Sequence, residues 1–181
     1  MSILGRATRE GPLHPSAVCN RNDARDAAIL ESYLIGESHN NLANKLIRRS
    51  LLEQAMAQLK TMGLPKDPQL NFCEDMLCTV LLYRCAHTYA STIQTEYRYL
   101  QRSDSSMVST DPAVVDACLI SLETVLKVLR PLLQDHGQSS SVVEFRSRDV
   151  NWSLNNLLCR AGSSLGEESL KRVGRIQSLY D

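Results

Sequence analysis

The stretch from Asn71 to Leu100 contains neither Gly nor Pro, and its apolar residues run almost all the way round a helical wheel. Phe72, Met76, Tyr83, Ala86, Ala90, Ile93, Tyr97 and Leu100 form one stripe; Cys73, Leu77, Val80, Leu81 and Cys85 form another. A helix that is apolar on more than one face is normally buried on more than one face. The pattern predicts a long central helix over about 71–100, roughly 45 Å long at about 1.5 Å per residue.

Other helices are expected to pack around it. Helix-ending glycines and capping residues bound a first helix over about 23–35, stopped by Gly36, and a second over about 39–62, opened by Ser38 and ended by Gly63. Asp111 followed by Pro112 starts a fourth helix, with Val115, Cys118, Leu119, Leu122, Leu126, Leu129 and Leu133 at clean helical spacing. Glu123 and Lys127 pair on its outer face, and Pro131 is expected to kink or end it near Arg130. Residues 142–145 read equally as a short strand or a helical turn. A fifth helix follows Asp149 and ends at Gly162. A sixth starts at Ser164, with Glu167 three residues on in the capping-box arrangement. The fold class read from this pattern is all-α, a roughly six-helix bundle around the 71–100 helix. Residues 1–21, with two Gly and two Pro and no periodicity, read as a flexible arm. Residues 22–181 read as one helical domain, of which 164–181 is a candidate docking helix.

At 181 residues, with 43% hydrophobic and 22% charged, the chain has enough apolar mass for one well-packed domain. Its formal net charge is zero, but residues 1–66 and 136–181 are net basic and residues 67–135 net acidic. An anionic partner would meet the ends before the middle. Met1–Glu10 lacks the apolar core of a secretory signal, and no run of about 18 apolar residues predicts a membrane span. Six cysteines, three of them inside one predicted helix at spacings that do not suit disulfides, fit reduced thiols and an intracellular setting, cytoplasmic or nuclear.

Gly36-Glu-Ser38-His-Asn-Asn-Leu42-Ala43-Asn-Lys-Leu46 is similar to the G-x-S-x-x-x-[IL]-A-x-x-L core of LuxR-type DNA-binding domains. That resemblance implies a second short turn and then a recognition helix in the major groove. Ile47-Arg48-Arg49-Ser50-Leu51 has no Gly and no turn chemistry, so the stretch is read as one unbroken helix with a basic face. Lys45, Arg48 and Arg49, with Arg146, Arg148, Arg160, Lys171, Arg172 and Arg175, form the candidate nucleic-acid set. The opposing reading is solvated helix faces, since Glu167 and Glu168 stand four residues before Lys171 and Arg172 and no aromatics interleave for base stacking.

No metal, cofactor or catalytic motif emerges. Cys85 and His87 point about 200° apart on a helix, Cys73 and Cys78 miss the C-x-x-C spacing, and no His lies in a nucleophile or acid–base pattern. Trp152 carries more information. It falls opposite the stripe Val150, Leu154, Leu157, Leu158 and Ala161, where Trp is a candidate interface anchor. The competing reading buries that helix on both sides, with Trp152 covered by the last helix or by 142–145. The last helix presents Leu170, Val173, Ile176 and Tyr180 on one stripe. The expected function is a non-enzymatic helical interaction module, such as an adaptor, assembly factor or regulatory subunit, binding another protein or itself through Trp152 and that stripe. The alternative is a helical nucleic-acid-associated protein using the basic set.

Overall fold

In a computed structural model the described residues are 5–7, 14–15, 23–38, 40, 42, 45–64, 69–90, 98–100, 107–134 and 139–179. The chain is all-α in class. Its helices are α1 (Ala27–Leu34), α2 (Arg49–Thr61), α3 (Glu74–Cys85), α4 (Pro112–Leu133), α5 (Ser140–Phe145), α6 (Asn151–Ala161) and α7 (Glu167–Ser178). A π-helical turn, Arg146–Val150, joins α5 to α6 without a break. Short strands complete it. Gly5–Ala7 (β1) pairs with His14–Pro15 (β2) and, in parallel, with Arg98–Leu100 (β5); Asp23–Arg25 (β3) pairs antiparallel with Thr88–Ala90 (β4).

The expected 71–100 helix is corrected to α3 alone. Ala86 is already extended, and Thr88–Ala90 turns back to pair with β3. The cause lies in residue type. Thr88, Tyr89 and Tyr99, in the two short strands, are β-branched or aromatic, which disfavours helix and suits a pleated strand. The deepest helix is α4 instead. Val115, Cys118, Leu119, Leu122, Val125, Leu126 and Leu129 are all fully buried, and α4 touches α3, α6 and α7. Asp111 caps it as expected, its Oδ1 accepting from the Ala113 amide at 2.9 Å. Pro131 does not end it, because in the last turn a missing N–H costs only one backbone bond, and the helix runs on to Leu133. The Arg84 guanidinium from the end of α3 donates to the Leu132 carbonyl there.

Three further boundaries differ from the sequence reading. The first helix starts at Ala27, because 23–25 are taken by the strand pair and Asp26 turns the chain with a φ of 48°. The second starts at Arg49 and not near His39, and residues 45–48 are not helical. Ser38 does not cap it: the Glu37 and Ser38 amides both bond back to the Ser32 carbonyl, and the Asn40 carbonyl accepts from Thr79 Oγ1 on α3. Residues 142–145 are helical. The last helix starts at Glu167 with Gly166 before it, because the Ser164 hydroxyl donates backwards to the Ala161 carbonyl and does not form a capping box.

Polar bonds fix the order of packing. Ser121 Oγ on α4 donates to the Phe72 carbonyl at 2.7 Å and accepts from the Phe72 amide at 3.2 Å, seating the start of α3. Ser169 meets Asp116 and Arg175 meets Glu123, so α7 runs in the same direction as α4. Arg160, late in α6, reaches the Ser109 carbonyl ahead of α4, so α6 runs the opposite way. Tyr33, buried in α1, meets Tyr83 and Phe145 edge-on with ring centroids 6.1 and 5.7 Å apart. Among the described residues no helix is long and apolar enough to cross a membrane.

Candidate protein-binding face

The run from Ser140 to Ala161 buries Val142, Phe145, Val150, Leu154, Leu157 and Ala161. Neighbours in that series are three or four residues apart except Phe145 and Val150, which are five apart. A uniform α-helix would put the two halves of this series out of phase by roughly a quarter turn. The π turn takes up the extra residue, so one continuous face is buried. The five-residue gap was readable in the sequence and is the signal that the 142–145 ambiguity concealed.

The π turn also aligns the opposite face. Ser140, Val143, Glu144, Ser147, Asn151, Trp152, Asn155 and Cys159 are exposed along it. Trp152 is 54% exposed, so neither α7 nor residues 142–145 cover it. Indole is among the largest apolar groups a chain can leave in water, and Trp is enriched where interfaces lose water.

The other members of the predicted contact stripe separate. Leu170 is exposed, Val173 is half-buried against the core, and Ile176 is buried as the anchor of α7. Tyr180 lies outside the described residues. The stripe is thus split by docking, with Ile176 spent on the fold and Leu170 left at the surface.

The basic set is largely bonded within the chain. Arg148, positioned by the π turn, donates to the Tyr33 carbonyl at 2.8 Å and the Leu34 carbonyl at 3.3 Å, and pairs with Asp149 at 2.6 Å. It therefore caps the C-terminus of α1, whose last carbonyls have no partners within the helix. Arg160 holds the Ser109 carbonyl at 2.9 Å. Arg172 and Arg175 both bind Glu123, and Lys171 pairs with Glu167. Arg146 is half-buried on the π turn. Arg48 is exposed, Arg49 pairs with Glu53 at 2.8 Å, and Lys45 is half-buried. Burial lowers the Lys45 pKa to about 8, although Asp75 partly opposes the shift.

Glu123 departs from the expected outer face. Its carboxylate is only 5% exposed beneath α7 and takes Lys127, Arg172 and Arg175 at 2.8, 2.8 and 3.0 Å. Burial alone would raise its pKa, but hydrogen bonds from Lys127, Arg175 and Arg172 outweigh burial and hold it at about 2. Nothing in α4 alone marks this role, since both arginines arrive from 49 or more residues away.

Burial pushes the Cys73 thiol up to about 12, despite a 3.5 Å contact with Ser153 Oγ, and it also raises Cys78, Cys85 and Cys118. Among the described residues no group of three or more His, Cys, Asp or Glu side chains converges to hold a metal ion. No protein-family model matches the chain, and neither a curated protein nor a solved structure does.

Proposed function

We propose that this chain is a non-enzymatic helical protein–protein interaction module, an adaptor, assembly factor or regulatory subunit, that binds through the outward face of residues 140–161. The observation that carries the reading is the exposure of Trp152 near the middle of that face. Interface cores are depleted in charge and enriched in aromatic residues, and this face has one large aromatic group and one charged residue among its exposed positions. The helix beneath is rigidly seated by its buried stripe, so little conformational entropy remains to be lost on binding. The nucleic-acid alternative gains no comparable support, because Arg148, Arg160, Arg172 and Arg175 are engaged with carbonyls or carboxylates of the chain itself.

A photo-crosslinking amino acid in place of Asn155 tests the reading in cells. A discrete crosslinked species that disappears in Trp152→Ala, while that variant melts within about 2 °C of the parent, is the expected result. No discrete species, or a Trp152→Ala protein that loses its fold, would overturn it.

A further inference from the structure

Asp116, Ile120, Glu123 and Lys127 follow one another in steps of four, three and four, and so share one face of α4. α7 lies against that face and packs chiefly on α4. Its hold differs in kind from that of the core helices. Of its 12 residues only Ser169 and Ile176 are buried, with Val173 half-buried against the core. α3, of the same 12-residue length, buries Met76, Leu77, Val80, Leu81 and Tyr83 among others. The rest of the hold is polar. Ser169 Oγ donates to Asp116 at 2.7 Å, and Arg172 and Arg175 take Glu123 at 2.8 and 3.0 Å. Buried charged contacts return much of their attraction as lost hydration, and they contribute selectivity more than strength.

Three details show that this docking is imperfect. Arg172 Nε is buried with no hydrogen-bond partner among the described residues, Asp116 Oδ1 standing 3.9 Å away. A donor in that position costs free energy while α7 is docked and regains water when it leaves. Gly174 stands inside α7 although a side-chain carbon there would meet nothing within 4 Å, so packing does not demand a glycine that weakens the helix relative to alanine. Ile120, between Asp116 and Glu123 on the covered face, is still 42% exposed. α7 thus matches the charges of the face and leaves its apolar position open.

We infer that this face of α4 is a binding site for a basic amphipathic helix of another protein, and that α7 is its releasable internal occupant. The chemistry of the guest is read from α7: two arginines three residues apart, the second followed by a branched apolar residue, as Arg172, Arg175 and Ile176 are. The guest also carries an apolar side chain that covers Ile120. It lies parallel to α4, as α7 does, and it replaces α7 without adding to it. Its apparent affinity is therefore its intrinsic affinity reduced by the fraction of chains in which α7 is released. The site is separate from the outward face of residues 140–161 and does not depend on it.

The probe is a fluorescent peptide with the sequence of residues 166–181, titrated by anisotropy into the full chain. Arg172→Glu with Arg175→Glu in the chain weakens the internal occupant. The expected result is that this variant binds the probe at least about tenfold more tightly than the parent chain does, while a peptide carrying the same two substitutions binds neither. Where the paired variant does not fold, Arg175→Ala, at a position 44% exposed, takes its place. Hydrogen exchange of the parent chain gives an independent reading: the amides of α7 open as a group at least about a hundredfold more often than those of α4, with little dependence on low urea. A probe that binds parent and variant equally, or binds neither, overturns the inference. So does α7 exchange that tracks α4 and follows global unfolding, since α7 is then a permanent part of the core.

Discussion

Arg172 Nη1 donates to Glu123 Oε2 across 2.8 Å, joining α7 to the middle of α4 through a carboxylate that water barely reaches. Arg172 is itself only 16% exposed, so each charge depends on the other for what it has lost from solvent. Glu123→Gln takes the buried carboxylate from Arg172, Arg175 and Lys127, leaving Arg175 its exposed pairing with Glu168 and Arg172 the more distant Asp116 at 3.9 Å. Removing one partner of a buried pair costs roughly 3 kcal/mol, which for a chain of this length lowers Tm by about 6–12 °C. Thermal denaturation at pH 7 checks this; a drop under 2 °C would show that the pair contributes little.

The same carboxylate makes stability depend on acid. Its pKa in the folded chain is about 2 against an ordinary 4.5, because the hydrogen bonds from Lys127, Arg175 and Arg172 outweigh burial. A depressed carboxylate pKa contributes stability that is complete above about 4.5 and is lost as pH falls through 2. The gap in stability between the parent and Glu123→Gln should therefore be widest above pH 4.5 and close steadily below it. Urea denaturation of both proteins across pH 2.5–6 measures the gap. A constant gap would contradict the shift.

Gly36 adopts a φ of +81°, and a side-chain carbon there would run into the Arg148 guanidinium that caps α1. Gly36→Ala is expected to cost about 1 kcal/mol for the left-handed backbone, and more for displacing Arg148. Once Arg148→Met has already removed the cap, only the backbone part remains. A double-mutant cycle should return a coupling of about 0.5–2 kcal/mol, the double variant being more stable than the sum of the singles implies. Additive costs would show that Gly36 and Arg148 do not share one arrangement.

The π turn makes a prediction about chain length. Deleting exposed Ser147 removes the extra residue and leaves Phe145 and Val150 at ordinary α spacing, so the buried stripe stays in phase. Deleting exposed Asn155 from regular α-helix rotates Leu157 and Ala161 by about 100° and sends them away from the core. The Ser147 deletion should fold and melt cooperatively, while the Asn155 deletion should not. Circular dichroism melts of the two decide the point, and equal behaviour would count against the phase argument.

Thiol chemistry separates surface from interior. Cys159 is exposed; Cys118 is fully buried; burial raises Cys73 to about 12, leaving about one part in ten thousand as thiolate at pH 8. Brief iodoacetamide treatment of the native chain at pH 8, followed by peptide mass spectrometry, should modify Cys159 well ahead of Cys73 and Cys118. Adding denaturant should abolish the difference. Equal labelling in the native chain would show that the interior is open.

What could be read from sequence depended on whether a signal was local. The start of α4 was legible because Asp111 and Pro112 act on neighbouring amides, and its stripe was legible because every apolar residue in it faces one core. The 71–100 helix was over-read because apolar residues all round a wheel satisfy a buried strand as well as a buried helix. The β-branched and aromatic residues after Cys85 carried the distinction. The second helix began late: Ser38, a good cap in isolation, sits in the turn that ends α1, its amide on the Ser32 carbonyl, and the helix starts only at Arg49. Trp152 was visible as an outlier on its helix wheel, but its exposure depended on what the rest of the chain left uncovered. The Arg148 cap and the Glu123 cluster were out of reach, since each joins residues 49 or more positions apart.

The α1 cap bears on the order in which the chain can become structured. α1 has eight residues, too few to persist alone; the Gly36 amide also reaches the Tyr33 carbonyl, but the Leu34 carbonyl takes its bond from Arg148, 114 residues later. During synthesis from the N-terminus, Tyr33 leaves the ribosome long before Arg148 or Phe145 exists. At ordinary translation speeds that interval is roughly 6–23 seconds, during which α1 lacks the Arg148 cap and the Phe145 ring. The front of this chain is thus completed by its back, and nascent fragments ending before residue 148 should remain sensitive to protease in the region of α1.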